Sequence, residues 1–330
     1  MTPTDPSAVE AGNPARGIAL KLASILLFTV MAALIKFGRE MVPTGEAVFY
    51  RSFFALPPIL IWALWRGRLH EAFRVNDRLA HLNRGLVGMA GMSCGFAALG
   101  FLPLPEVIAI GYAAPLMATA LAALVLGERV RLVRWTAVLV GFSGVLVMLW
   151  PRLTVLPGVG GGDVTDAEAL GAWIALMGAG FVALAMIQIR RMTRTETTLS
   201  IVFWFTVIST VVALATLPLG WGWPGLRGDF WGPGGWTLAA LVAAGLLGGT
   251  AQILMTESYR QADASTLAPM EYSSMVYGLA IGFFLFAEVP GWPVLIGASI
   301  VIAAGVLIIW RERQLGLAHA RARAAKTPQG

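Results

Sequence analysis

The sequence predicts an all-α integral membrane protein of ten transmembrane helices arranged as two inverted five-helix repeats. Three observations predict it. Ten apolar runs of about 18 to 25 residues fill most of the 330-residue chain, each long enough to cross ~30 Å of hydrocarbon at 1.5 Å per residue. Charged residues make up 13% of the chain and its mean hydropathy is +0.74, which leaves no room for a separate soluble catalytic domain of ~100 residues. The runs are continuous and rich in Ala, Leu, Val and Gly, unlike the alternating segments of roughly ten residues that build a β-barrel.

Taken in order, the first fifteen residues are polar, acidic on balance and contain Pro3, Pro6 and Pro14, so 1–15 is expected to be a disordered cytoplasmic lead. The first run, Gly17–Phe37, is too long for a signal-peptide core and is expected to be retained as a helix. The second, Gly45–Trp65, carries Arg51 six residues in. The third, Ala80–Leu102, contains Cys94, the single cysteine, so no intramolecular disulfide can form. The fourth, Leu104–Leu126, leads to Glu128, and the fifth, Leu132–Leu149, closes on Gly144-Val145-Leu146. Residues 151–167, with Pro157, Gly158 and three successive glycines, read as a periplasmic linker between a first repeat (16–150) and a second (168–311). The sixth to tenth runs follow: Glu168–Arg190, Leu199–Gly220, Gly235–Tyr259, Ser265–Ala287 and Pro293–Trp310. A basic cytoplasmic tail, 312–330, ends the chain.

The duplication is read from the order of matches. In both halves a helix ends at an acid (Glu128, Glu288), a tryptophan follows (Trp135, Trp292) and a Gly-Val-Leu closes the next helix, at an offset of about 160 residues. An odd number of helices per repeat turns the second copy upside down, the plan in which two halves enclose a site near the membrane midplane.

Of the 24 basic residues, nineteen fall on one side if both termini lie inside. Lys36, Arg39, Arg152 and Arg227 fall on the other, and Arg51 lies within a span. Basic residues accumulate on the cytoplasmic side, so the net charge of +6 is a topology signal, and nucleic acid is not an expected partner.

The second-helix segment Glu46-Ala-Val-Phe-Tyr-Arg51-Ser-Phe-Phe, the Arg84-Gly-Leu opening of the third helix, Pro115 thirteen residues before Glu128, and Ala268-Pro269-Met-Glu271-Tyr272 with the terminal Gly-Val-Leu together resemble the EamA-domain branch of the drug/metabolite transporter superfamily. The resemblance covers residues 17–310, and the layout is similar to bacterial uptake carriers for S-adenosylmethionine and riboflavin. It departs from the family at Ala287, where glycine is usual. The resemblance implies ten helices and carrier-type transport of small organic solutes.

The residues themselves support no ATP-binding loop and no HExxH or clustered Cys and His, so neither a cofactor, a metal nor an enzyme is expected. Ionisable and polar groups within spans remain as the candidate solute site. These are Arg51, Glu271 (also the candidate for a coupling proton), Tyr50, Tyr112, Tyr272, Trp204 and Gln252. A charge inside a span faces the bundle interior or water and needs a partner, so Arg51 and Glu271 are expected to face one central cavity. A structural ion pair remains the alternative for Arg51. Lys36 and Glu106 could line an entrance, and Glu257 reads as structural. Glycine-rich stretches at Gly85–Gly91, Gly141–Gly144 and Gly245–Gly249 suit either internal packing or a homodimer face. The expected function is a secondary transporter in the inner membrane, with a small-molecule solute and the lipid bilayer as partners. The alternative is a membrane scaffold, or a lipid- or partner-binding protein, that transports nothing.

The charge split generates a topology prediction. Alkaline phosphatase fused to the C-terminus should be inactive in cells, because that enzyme folds only in the periplasm; an active fusion places the tail outside.

Overall fold

In a computed structural model of the chain, residues 13–38, 42–126, 132–151, 166–192, 195–219, 233–262 and 267–324 are described. Most of the linker and Glu128 lie outside these residues.

The described residues form helices throughout. In chain order they are α1 (Pro14–Gly38), α2 (Thr44–Phe53), α3 (Leu56–Trp65), α4 (Leu69–Phe73), α5 (Arg78–Ala98), α6 (Leu104–Gly111), α7 (Ala113–Leu126), α8 (Leu132–Leu149), α9 (Asp166–Met192), α10 (Thr198–Leu214), α11 (Pro233–Gln261), α12 (Ser273–Phe286) and α13 (Trp292–Ala324). Five segments are long and apolar enough to cross a membrane: Pro14–Gly38, Thr44–Trp65, Leu104–Leu121, Asp166–Ile189 and Gly235–Ser258. Four shorter apolar helices and α5, which carries Arg78 and Arg84, make up the other expected spans. Ile61, Leu139, Val211 and Phe284 are exposed on the outside of the bundle, the surface an apolar solvent requires.

Several boundaries differ from the sequence reading for physical reasons. Helix α1 begins at Pro14, inside the expected lead, with Asn13 capping it by accepting from the amides of Ala15 and Arg16. The last helix continues to Ala324, well into the expected tail. The second span is bent between α2 and α3, where two prolines occupy the first turn of α3 and supply no amide to the turn before. The fourth is interrupted at Tyr112, between α6 and α7. Pro115 lacks the N–H that would bond the Gly111 carbonyl, so the helix loses a rung there. The ninth opens as a 3-10 turn, Ala268–Tyr272, again led by a proline, and becomes α-helical at Ser273.

Packing follows a two-fold exchange of the halves. Helix α1 packs on α11, and its counterpart α9 packs on α5. The contact of α7 with α9 is mirrored by that of α12 with α1, and the contact of α5 with α10 by that of α11 with α2. Helices α8 and α13 pack on each other, as do α2 and α10. The halves therefore interlock rather than sit side by side. Glycine permits the closest of these contacts. A Cβ at Gly85 would run into Ile208 of α10, and one at Gly245 into Phe54 just after α2, the same contact in each half. Gly144 and Gly297 each lie against the other's carbonyl oxygen between α8 and α13. The glycine stretches that could have served a homodimer face thus hold internal helix contacts at these positions.

The end of α12 accounts for the departure at Ala287. Its φ is 54° and ψ 31°, the left-handed region that glycine enters freely and an L side chain resists. Two backbone bonds hold it there: Ala287 N–H donates to the Phe283 carbonyl at 3.1 Å, and Glu288 N–H to the Gly282 carbonyl at 2.9 Å. This turn aims Glu288 back at the bundle. Ala287→Gly should therefore stabilise the protein by about 1 kcal/mol, seen as a higher midpoint of thermal unfolding; an unchanged or lower midpoint means that the turn is not strained.

Candidate functional site

Charges and polar aromatics inside the bundle form three groups. Helix α1 runs from the near end of the bundle, where it begins, to the far end, where it finishes.

The far end is closed by Lys36 and Glu288. Lys36 Nζ is ion-paired with Glu288 Oε1 and donates to the Leu102 carbonyl at 2.8 Å. The other carboxylate oxygen accepts from the Leu104 N–H at 2.8 Å, in the first turn of α6. One carboxylate therefore joins the ends of α1, α6 and α12, and it sits at a helix N-terminus, where the macrodipole favours an anion. Glu106, expected at an entrance, is buried beside this cluster in the same first turn.

Midway, the two interrupted helices meet through equivalent tyrosines. Tyr112 and Tyr272, 160 residues apart, stack edge to face with ring centroids 5.5 Å apart. The Tyr112 and Ser274 hydroxyls share a hydrogen bond of 2.7 Å. Tyr272 fits because position 305 is glycine; a Cβ there would overlap its hydroxyl. Next in the chain, Glu271 forms an ion pair with Lys21 of α1. Lys21 is fully buried and Glu271 about half exposed. The sequence reading placed Lys21 among the basic residues of the inside segments; the structure puts it seven residues into α1, about 10 Å along the helix, with a carboxylate partner. The α1 helix thus carries a lysine toward each end, and each pairs with a glutamate flanking α12.

The third group is a cavity of about 210 Å³ between the halves. Arg51 and Arg84 enter it from α2 and α5, with Met31, Met92, Phe205 and Gln252 among its walls. Both guanidinium groups lie over the Phe205 ring, at 5.9 Å for Arg51 and 4.4 Å for Arg84. Glycine opens the space again: a Cβ at Gly88 would overlap Arg84 Nη1, and one at Gly248 would lie 3.4 Å from Arg51 Nε. Gln252 also lines a separate small space of about 10 Å³ beside Trp62, Thr198 and Thr256. Those three residues line in turn a near-end mouth of about 400 Å³, where Arg66 Nη2 donates to Glu257 Oε2 at 3.0 Å. The structural reading of Glu257 thus has a named partner.

The seven candidate residues are therefore not one site. Arg51 and Gln252 share the cavity. Tyr112, Tyr272 and Glu271 form the midway cluster, where Glu271 pairs with Lys21 of α1, and the cavity that Arg51 lines does not include Glu271 among its walls. Tyr50 is buried against Phe54, ring centroids 6.0 Å apart. Trp204 packs beside Phe203 in the apolar cluster around Leu56, Ile59 and Leu199; both aromatics point into packing because their helix faces do. Sequence reasoning missed Lys21 and Arg84 as buried charges. The available signal was depth, since each lies several residues inside its helix rather than in a loop.

Comparison with known proteins agrees with this architecture. The model of the EamA-like transporter family matches residues 15–150 and 169–310, one match per half. The pseudopaline exporter CntI of Pseudomonas aeruginosa is 29% identical over 297 residues, covering 89% of this chain and 93% of the relative. An S-adenosylmethionine uptake transporter of Rickettsia felis is 25% identical over 90% of this chain and 94% of its own length. A riboflavin transporter of Rhizobium johnstonii is 27% identical over 82% of each. A crystal structure of another protein superposes with a TM-score of 0.60 at 19% identity, covering 91% of this chain and 99% of that one, a likeness of fold alone. With both halves matched and the relatives spanned nearly end to end, the chain belongs to the EamA-like transporter family.

Proposed function

We propose that this protein is a secondary carrier that moves a small organic metabolite across the inner membrane by alternating access, with ten crossings, both termini cytoplasmic and the second half inverted relative to the first. The observation that carries the reading is the asymmetry of the space between the halves. The arginine cavity, a small space sharing Gln252 with it, and a mouth sharing Trp62, Thr198, Leu199 and Thr256 with that space lie in turn toward the near end, whereas at the far end Lys36, Glu288 and the start of α6 are tied together. A carrier caught facing the cytoplasm has this form, and the positive-inside asymmetry assigns the near end to the cytoplasm. Dropping Lys21 and Arg84 from the loop charges leaves that asymmetry in place. The family and the transporters named among the relatives support a small-molecule cargo.

In this reading the Lys36–Glu288 pair is the far gate. Lys36 and Glu288 are largely shielded from solvent, and removing one partner leaves the other charge uncompensated, so a neutral residue at 288 weakens the far-end contact and favours its opening. The test uses the full chain in proteoliposomes with Cys94 replaced by Ala. Glu288→Gln should raise labelling of Leu104→Cys by an impermeant maleimide at least several-fold and lower that of Thr256→Cys. Unchanged labelling at both positions removes the gate. Counterflow of S-adenosylmethionine, riboflavin and a wider metabolite panel tests transport itself; no uptake above empty liposomes favours the scaffold reading.

Glu271 is the proposed proton site, with Lys21 of α1 and the two tyrosines facing it. Protonating the carboxylate would break its hold on Lys21 and so couple a proton to the α1–α12 contact. Glu271→Gln should abolish pH-driven accumulation while leaving solute exchange intact, and wild-type accumulation in that variant removes the carboxylate from coupling.

A further inference from the structure

Within the bundle and at its rim, three basic side chains each hold a glutamate: Lys21 with Glu271, Lys36 with Glu288, and Arg66 with Glu257. Arg51 is different, and Arg84 beside it is different in the same way. Among the described residues neither arginine is ion-paired with a carboxylate, and Arg51 Nε, Arg84 Nε and Arg84 Nη1 are buried without a hydrogen-bond acceptor. Arg51 is only 4% exposed. Two guanidinium groups over one phenylalanine ring repel each other, and a buried donor left unsatisfied carries its full desolvation penalty. The ring face offsets part of the charge but accepts none of the in-plane N–H groups. In-plane N–H groups of this kind suit an anion with several acceptor oxygens.

We propose that Arg51 and Arg84 form the receptor for an oxyanion, a carboxylate or a phosphate, borne by the transported solute; this deepens the carrier reading above and rests on it. The planar fork of each guanidinium suits two oxygens of one anionic group. Gln252 adds an amide, while Met31, Met92 and Phe205 offer apolar and polarisable surface to the rest of the solute. Gly88 is part of the same device, because a Cβ there would overlap Arg84 Nη1, and Gly248 makes room for the Met31 sulfur in the cavity wall. The two arginines come from α2 and α5, both in the first half, and the ring beneath them from α10 in the second. An anion bound by the arginines therefore sits on the boundary along which the halves must move, and it can bias their arrangement by differential contact.

The experiment measures thermal unfolding of the full chain in nanodiscs against named probes: glutamate and succinate, glycerol 3-phosphate and inorganic phosphate, and the neutral succinamide and glycerol. At least one oxyanion should raise the midpoint in proportion to the logarithm of its concentration, with no shift from its neutral counterpart. Arg51→Gln and Arg84→Gln should weaken that apparent affinity about tenfold or more, and the Lys substitutions should recover part of it. Stabilisation by the carboxylates alone assigns a carboxylate, and by the phosphates alone a phosphate. No stabilisation by any oxyanion, or equal stabilisation of the Gln variants and wild type, overturns the proposal. Should the variants fold poorly, phenylglyoxal modification of the wild-type protein decides it: the effective probe should protect Arg51 and Arg84, and unprotected labelling overturns the assignment. Oxyanion binding with no transport of any solute sinks the carrier reading and leaves the site standing. Transport at wild-type KM by Arg84→Gln does the reverse.

Discussion

A charge inside hydrocarbon must find its counter-charge or its acceptors within the protein, and the arrangement of this bundle follows from that requirement. Helix α1 carries Lys21 and Lys36, fifteen residues or about 22 Å apart, and both reach glutamates at the two ends of the segment that contains α12. Those pairs fix how α1, which packs chiefly on α11, also lies along α12. The Ala287 turn belongs to the same solution: without its left-handed conformation Glu288 would not point back at Lys36 and the Leu104 amide. A strained residue is tolerated where it completes a buried charge pair.

Backbone interruptions sit where the halves meet. Proline costs the fourth span a rung at Pro115 and opens the ninth at Pro269, and the tyrosines at those two places contact one another. Broken helices at the junction of two repeats are how transporter folds place free backbone groups away from lipid. Side chains add hydrogen bonds at this junction, with Ser274 Oγ donating to the Glu271 carbonyl at 2.7 Å and accepting from the Tyr112 hydroxyl at 2.7 Å. Interlocking of the halves, rather than simple abutment, means that motion at this junction must reach α1 and α9 together.

The arginine cavity and the tyrosine cluster divide labour in space. The cavity has donors in excess; the cluster has a carboxylate and a lysine and connects α1 to the α12 segment. Small residues decide where each can exist. Position 88 leaves room for a guanidinium, position 305 for a tyrosine hydroxyl, and positions 144 and 297 for two backbones to touch. In a bundle without a hydrophobic driving force between helices, such close fits supply much of the association energy.

The sequence by itself determined the membrane fold and the duplication. Length and hydropathy are local properties that the bilayer reads directly, and the order of Glu, Trp and Gly-Val-Leu survives in both halves. It also singled out Arg51 and Glu271, because a charge in an apolar run is conspicuous wherever it points. Which charge meets which was decided only by the tertiary structure. Lys21, within the first apolar run, counted only as an inside charge until the bundle set Glu271 against it, and Arg84 looked like a helix-opening residue until Gly88 made room for it. Tyr50 and Trp204 looked as eligible as Tyr112, since a span's rotation about its axis leaves little trace in a uniformly apolar run. That rotation is set by neighbouring helices through contacts more than a hundred residues apart, and only the assembled bundle contains it.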